Sequence, residues 1–176
     1  MSRVRVPVLI VSGPVGVGKT SVAHEMFDQL SGRDITHAVI DLDGLDTCWP
    51  FGEGDPFNEQ MAMRNLAAIW SNFATAGVDR AVIARVVESR RDLAAYEQAI
   101  PGAEIRVCQL TAEVPTLRER LGRREAGSSY KFLLNRAAEL AESLERFGPA
   151  DFVVQTDRRP LADIAIEALA KAAWLD

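Results

Sequence analysis

One short segment of the sequence combines glycines, a lysine and a threonine in a spacing that can hold a phosphate. Gly13–Thr20 reads Gly-Pro-Val-Gly-Val-Gly-Lys-Thr and matches G-x-x-x-x-G-K-[ST] in full. Glycines let backbone N–H groups curl inward around a phosphate without Cβ clashes. Lys19 would then reach the β- and γ-phosphates of a nucleotide, and the Thr20 hydroxyl would bind Mg²⁺. The predicted nucleotide-binding residues are Gly13, Pro14, Val15, Gly16, Val17, Gly18, Lys19, Thr20 and Ser21.

Two carboxylates, Asp41 and Asp43, close a short apolar run. Residues two apart in a strand point to the same face, so both side chains would converge beside the phosphate loop. Phosphoryl transfer to a hydroxyl needs one carboxylate to orient or deprotonate that hydroxyl, and another to support Mg²⁺, usually through water. The alternative is an acidic turn without a chemical role.

Four arginines lie close together after the predicted fourth strand: Arg118, Arg120, Arg123 and Arg124. Arg120 and Arg124 are four apart and share a helix face. Arginines on a mobile helix can neutralise transition-state charge and exclude water, so we predict a lid at about 115–130 in which these two residues act on the nucleotide. The alternative is a solvated basic face paired with neighbouring glutamates.

Three further groups are candidates for the rim of the site. Arg90 or Arg91 could clamp an anionic acceptor, and Glu88 could assist Mg²⁺ through water. Arg159, which follows the predicted fifth strand, is expected near the adenine. Aromatic side chains flank a Pro/Gly-rich loop where an acceptor would lie: Trp49, Phe51 and Phe57. Ordinary surface charges and simple anchoring of the loop are the competing interpretations.

Short apolar runs alternate with segments of helical periodicity, which predicts a parallel α/β sheet with helices on both faces. The predicted strands are Val6–Val11, Ala38–Ile40, Ala81–Val87, Ile105–Leu110 and Phe152–Gln155. Helices are expected from the phosphate loop to Gly32 and over 58–76, 91–98, 115–124, 130–147 and 160–174. Ligands of open α/β sheets bind beyond the carboxyl ends of the strands, where all the candidate residues fall.

The composition is that of one globular domain spanning 1–176. Of the 176 residues, 48% are hydrophobic and 26% are charged, and the net charge is −5. This acidic balance argues against nucleic-acid binding. No apolar run could span a bilayer and no leader pattern is present, so we expect a cytoplasmic protein without a membrane partner. The two cysteines have no metal-ligand spacing, and a monomer or a homodimer would suit the chain equally.

These motifs, in this order, resemble the small-molecule branch of the phosphate-loop kinases, which includes shikimate kinase, gluconate kinase, adenylylsulfate kinase and chloramphenicol phosphotransferase. The resemblance implies a single-domain phosphate-loop NTPase fold with a five-stranded sheet in the order 2-3-1-4-5 and a short arginine-bearing lid. It further implies that Asp43 faces the acceptor hydroxyl, that Asp41 supports the magnesium, and that Arg120 and Arg124 match the Arg-x-x-x-Arg lid pattern. The acceptor motifs of adenylylsulfate and shikimate kinases are not reproduced.

The sequence therefore predicts a kinase that uses ATP and Mg²⁺ to phosphorylate a hydroxyl of a small molecule. Lys19, Asp41, Asp43, Arg120 and Arg124 would be catalytic. Acceptor contacts would come from Asp43, Trp49, Phe57 and Arg90. Two alternatives remain: a nucleoside or nucleotide kinase, and a nucleotide-binding regulatory module with little turnover.

Overall fold

The central feature of the fold is a five-stranded sheet. The computed structural model describes residues 5–55, 57–124 and 128–175, without the side chains of residues 124 and 128–133. The strands are β1 (Val6–Ser12), β2 (Ala38–Asp41), β3 (Ala81–Ala84), β4 (Ala103–Thr111) and β5 (Phe152–Gln155). All pairs are parallel and the order is β2-β3-β1-β4-β5. This confirms the predicted fold class and strand order.

The described residues form six α-helices and two 3₁₀ turns, of which all but the last helix lie between strands. The helices are α1 (Lys19–Ser31), α2 (Glu59–Thr75), α3 (Leu93–Ala99), α4 (Val114–Arg124), α5 (Ser128–Phe147) and α6 (Leu161–Lys171). The 3₁₀ turns cover Leu42–Gly44 and Arg90–Asp92. Among the described residues, no helix is both long and apolar enough to cross a membrane.

The sheet is buried on both faces, which explains why β1 is apolar without alternation. Leu9 and Val11 lie on one face in a core formed with α1, α4 and α6. Val8 and Ile10 point to the other face and pack with residues of α2 and α3. Two separate cores thus hold the carboxyl ends of the strands in fixed positions.

β3 is shorter than the sequence pattern predicts. The pattern continues to Val87, but the strand ends at Ala84. Its neighbour β1 ends at Ser12, where the phosphate loop begins, and the last residue pair between the two strands is Val11 with Ala84. The residues after Ala84 therefore have no continuing β1 strand with which to pair. The Val87 N–H instead donates to the Ser12 hydroxyl at 3.0 Å. The segment that leaves the sheet here delivers Arg85 to the site.

The loop between the first 3₁₀ turn and α2 is organised by two buried polar residues. Asp55 accepts from the Glu59 and Gln60 N–H groups at 2.8 and 2.9 Å, so it satisfies free donors at the start of α2. The Asn58 amide, 2% exposed, donates to the carbonyl groups of Asp46 and Cys48 at 2.8 and 3.3 Å. The loop therefore has a defined shape.

Candidate active site

The segment between β1 and α1 curls in a way that only glycine tolerates well. Gly13, Gly16 and Gly18 have φ values of +143°, +83° and +104°, which L-residues rarely adopt. A Cβ on Gly13 would lie 2.6 Å from the Leu110 carbonyl oxygen, and one on Gly16 would lie 2.9 Å from Leu121 Cγ. The predicted phosphate loop thus packs closely against Leu110 and Leu121, and side chains at Gly13 and Gly16 would not fit.

Lys19 is held in this loop. Its ammonium group donates to the carbonyl oxygens of Gly13 and Pro14 at 3.0 and 3.2 Å, and the residue is only 9% exposed. A buried ammonium needs polar partners, which the loop carbonyls provide. The positive charge is therefore fixed at the mouth of the loop, where a phosphate would bind.

Thr20 and Asp41 meet across the gap between α1 and β2. The Thr20 hydroxyl donates to Asp41 Oδ2 at 2.8 Å. The other carboxylate oxygen of Asp41 accepts from the Asp43 N–H at 3.2 Å and so caps the turn that follows β2. Two oxygen donors of the kind that Mg²⁺ prefers are thereby placed together beside the phosphate loop.

Asp43 lies in the 3₁₀ turn and not in the strand. The expected reason for its approach to Asp41, two residues pointing to one face of a strand, is therefore wrong, because β2 ends at Asp41. Burial raises the pKa of the Asp43 carboxyl above the usual aspartate value. The charges of Lys19 and Arg85 oppose this rise, and the carboxylates of Asp41 and Asp46 add to it.

Arg85, which the sequence analysis overlooked, joins three carboxylates. The residue is 7% exposed. Its guanidinium contacts Asp43 at 3.2 Å, Asp46 at 2.6 Å and Glu59 at 2.8 Å. Burial alone would lower the pKa of Arg85, but hydrogen bonds to Asp46 and Glu59 raise it above the ordinary value. A signal was available in the sequence, since a charged residue inside a predicted buried strand needs a partner.

A cleft of about 960 Å³ opens next to Asp43. Val15 of the phosphate loop forms one wall, so the cleft adjoins that loop. The predicted aromatic residues Trp49, Phe51 and Phe57 line it as well. Glu88 also lines the cleft, where its carboxylate pairs with Arg136 of α5 at 2.9 Å.

A second cavity, of about 420 Å³, also borders the phosphate loop. Gly16, Gly18 and Ser21 contribute to its wall, together with Arg120 and Arg159. The two cavities are lined by different residues of one loop. This is the arrangement expected when one cavity takes the nucleoside part of a nucleotide and the other takes an acceptor.

The Arg120 side chain is held by three hydrogen bonds. Its guanidinium donates to the Val17 carbonyl, the Thr156 hydroxyl and the Thr156 carbonyl, each at 2.9 Å. These bonds connect α4 to the phosphate loop and to the end of β5. In this arrangement Arg120 lines the smaller cavity beside the phosphate loop.

The other candidate arginines differ in their positions and partners. Arg159 donates to the Gln155 carbonyl at 3.0 Å and pairs with Glu167 at 2.6 Å. Arg90, predicted to contact the acceptor, is not among the residues that line the cleft, and it pairs with Asp151 at 3.2 Å. The side chain of Arg124 and residues 125–127 of the predicted lid lie outside the described residues.

Comparison with known proteins places these features in context. No protein-family model matches the sequence, and no curated protein is significantly similar to it. Solved structures do match over nearly the whole chain. The Deinococcus radiodurans tunicamycin resistance protein superposes with a TM-score of 0.68 at 20% identity, over 97% of this chain and 98% of that one. The chain has the phosphate-loop kinase fold.

Two further kinases show the same fold at similar distance. A gluconokinase from Sinorhizobium meliloti gives a TM-score of 0.63 at 23% identity, with 97% of this chain and 93% of that chain covered. The Mycobacterium tuberculosis APS kinase, solved with AMPPNP and APS, gives 0.59 at 20% identity, with 94% and 96% covered. These superpositions establish the phosphate-loop kinase fold. At identities this low, the chemistry has to be inferred from the residues of this site.

Proposed function

We propose that this protein is a phosphotransferase that moves the γ-phosphoryl group of ATP to a hydroxyl of a small molecule. The observation that carries the proposal is the position of Asp43. Its carboxylate lines the larger cleft and is close enough to Lys19 for the ammonium charge to influence its pKa. A carboxylate between a phosphate-binding lysine and an acceptor-sized cleft is the group that a hydroxyl kinase requires.

The residues present fit a magnesium ion. Thr20 Oγ1 and Asp41 Oδ2, 2.8 Å apart, are hard oxygen donors, and Mg²⁺ typically takes one or two protein ligands besides phosphate oxygens and water. The described residues contain no group of three or more acidic, histidine or cysteine side chains that could hold an ion alone. When bound, Mg²⁺ would neutralise charge on the β- and γ-phosphates.

The chain's own groups account for the remaining requirements of the transfer. The bond between the γ-phosphorus and the β,γ-bridging oxygen breaks, a bond from the acceptor oxygen to the γ-phosphorus forms, and ADP leaves. Asp43 orients the acceptor hydroxyl and accepts its proton as the new bond forms. Lys19 and the loop N–H groups stabilise the negative charge on the phosphate oxygens.

We assign the nucleoside of ATP to the smaller cavity and α4 to the lid that closes it. Arg120 and Arg159 line that cavity, and Arg120 bonds the phosphate loop to the end of β5. Arg120 therefore holds the loop and contacts the nucleotide from the adenine side. We propose that the whole chain, residues 1–176, acts as one domain with this lid.

The solved neighbours are named for different compounds, so no acceptor is carried over from them to this chain. They are named for gluconate, shikimate, APS and tunicamycin resistance. A nucleoside kinase is less well supported, because Trp49 and Phe51 meet edge to face at 81° and do not form a parallel pair around a base. A regulatory module with little turnover would have no use for Asp43 beside the cleft.

Calorimetric titration of the full chain with ATP, with and without Mg²⁺, tests the nucleotide part of the proposal. We expect tight binding of Mg-ATP by the natural protein and at least ~10-fold weaker binding by Lys19→Ala, since the β- and γ-phosphates lose their lysine. Lys171→Ala is the matched control, because Lys171 lies on α6 and pairs with Glu167 at 2.7 Å. Equal binding by all three proteins would refute the site.

A further inference from the structure

The acceptor cleft continues into a neighbouring cavity. The cleft of about 960 Å³ shares Glu59, Val86 and Glu88 with a cavity of about 600 Å³ between α2 and α3. Gln60 and Gln98 contribute polar side chains to this second part. Cavities of a few hundred to 1,000 Å³ suit drug-sized ligands. The two cavities together offer more volume than a small sugar acid would fill.

The walls of this combined cleft carry an excess of negative charge. Two guanidinium groups, Arg85 and Arg136, line it among the described side chains. The carboxylates that line it number five: Asp43, Asp46, Glu59, Glu88 and Asp92.

Both arginines are already paired with carboxylates of the cleft. Arg85 already contacts three of the carboxylates at 2.6–3.2 Å, and Arg136 pairs with Glu88. An anion entering the cleft would have to displace one of these carboxylates and would be repelled by the others. A neutral or cationic group meets neither cost.

One end of the cleft presents aromatic rings to solvent. Trp49, Phe51 and Phe57 are 82%, 53% and 75% exposed. They belong to the loop that Asn58 holds in shape through its bonds to Asp46 and Cys48. Large apolar side chains that are exposed beside a concave site indicate contact with a ligand. These aromatic rings could pack against a flat or aliphatic apolar part of a ligand.

From these features we infer that the acceptor is an extended amphipathic alcohol that carries no negative charge. Its apolar part lies against Trp49, Phe51 and Phe57, its hydroxyl lies at Asp43, and its uncharged or cationic polar part extends toward Gln60, Gln98 and Asp92. The inference rests on the proposed function, since it defines the substrate class of the same site.

Three matched probes test the charge preference. 4-(Hydroxymethyl)benzoate, 4-(hydroxymethyl)benzamide and 4-(aminomethyl)benzyl alcohol share one ring and one hydroxymethyl group, and their para substituents are anionic, neutral and cationic at pH 7. Their dissociation constants are measured by ligand-observed NMR on the full chain. We expect the amide and the amine to bind at least ~10-fold more tightly than the carboxylate. Glu88→Gln, which removes one carboxylate and releases Arg136, should narrow this difference.

Aromatic variants test the apolar part. Trp49→Ala and Phe57→Ala should each weaken the amide and the amine probes several-fold. Both residues are largely exposed, so these variants should fold. Phe147→Ala is the matched control, because Phe147 is 72% exposed and lines neither part of the cleft. Its affinities should equal those of the natural protein.

The outcomes separate this inference from the proposed function. Equal or tighter binding of the carboxylate, binding of none of the probes, or unchanged affinities in both aromatic variants would overturn the inference, whether or not ATP is consumed. The expected order of affinities would support it. Should that order appear while no acceptor stimulates ADP release, the proposed function fails and the ligand preference of the cleft stands.

Discussion

Thr20 donates its hydroxyl proton to Asp41 across 2.8 Å, and this bond joins the phosphate loop to the end of the second strand. The same carboxylate caps the turn that carries Asp43. The proposed metal site and the proposed catalytic carboxylate therefore share one anchor. A change at Asp41 should affect both, whereas a change at Thr20 should affect the metal alone.

Asp41→Asn should lower the affinity of the ATP-bound protein for Mg²⁺ by about tenfold, because a residue that orients a metal ligand typically contributes 10- to 100-fold to metal affinity. Calorimetric titration of Mg²⁺ into the ATP-saturated protein measures the effect. Thr20→Ala should give a comparable loss, and Thr20→Ser, which keeps the hydroxyl, should restore affinity. An unchanged Mg²⁺ affinity in Thr20→Ala would contradict the assignment of the metal to this position.

Arg85→Met should lower the free energy of unfolding by about 2–3 kcal/mol, because loss of the guanidinium leaves three carboxylates close together without a counter-charge. The figure lies below that for a fully buried pair, since the Asp43 and Glu59 side chains are 58% and 59% exposed. Urea denaturation provides the measurement. Arg136→Met, which breaks an ion pair with Glu88 that is 44% and 45% exposed, should cost less than ~1 kcal/mol. Equal losses would contradict the central position of Arg85.

Asp46→Asn should lower the pKa of Asp43. The carboxylate of Asp46 contributes to the raised pKa of Asp43, and its removal also frees Arg85 to interact more closely with Asp43. Carboxyl ¹³C NMR of the labelled protein reports the titration, with Glu97→Gln as a control on α3. A general base acts when deprotonated, so the acid limb of kcat/KM should move to lower pH in the variant.

The stability linkage of Asp43 has the opposite sign to that of an ordinary salt-bridged aspartate. Because its pKa is raised in the folded protein, the folded state binds the proton more tightly than the unfolded chain. The stabilising contribution is therefore complete at low pH and is lost as the pH rises through the folded pKa. A pKa of Asp43 below that of an unfolded aspartate would contradict this assignment.

The two cysteines should differ sharply in reactivity. Cys48 is exposed and lines the acceptor cleft, whereas burial raises the pKa of Cys108 to about 12. A thiol reagent should therefore modify one cysteine in the folded protein and both in denaturant. Peptide mass analysis should place the fast modification on Cys48, and an acceptor in the cleft should slow it. Two equally fast thiols would contradict the packing around β4.

The sheet could be predicted because its strands are short apolar runs that alternate with segments of helical periodicity. β1 is buried on both faces, and the short apolar run Val8–Val11, which ends in a glycine turn, is typical of such a strand. The phosphate loop was equally accessible, because the positive φ values at Gly13, Gly16 and Gly18 restrict the residue type at each position. Both signals are local.

The acceptor side could not be predicted in the same way, because it depends on contacts between residues far apart in the sequence. Arg85 and Asp43 meet only because β3 ends early and β2 is followed by a turn. Arg90 was the better candidate on spacing alone, but the turn at Arg90–Asp92 carries it to Asp151. The shape of the loop depends on Asn58, whose amide reaches back to Asp46.

The most direct test of the central claim is acceptor-stimulated release of ADP from Mg-ATP, measured for the natural protein and for Asp43→Asn. The panel contains neutral, cationic and anionic hydroxyl compounds, and ATP affinity is measured in parallel. We predict that at least one class stimulates release, and that Asp43→Asn lowers this rate by about 10²–10⁴-fold while ATP binding is retained. Full turnover in Asp43→Asn, or no stimulation by any compound with ATP binding intact, would contradict the assignment of this site to phosphoryl transfer.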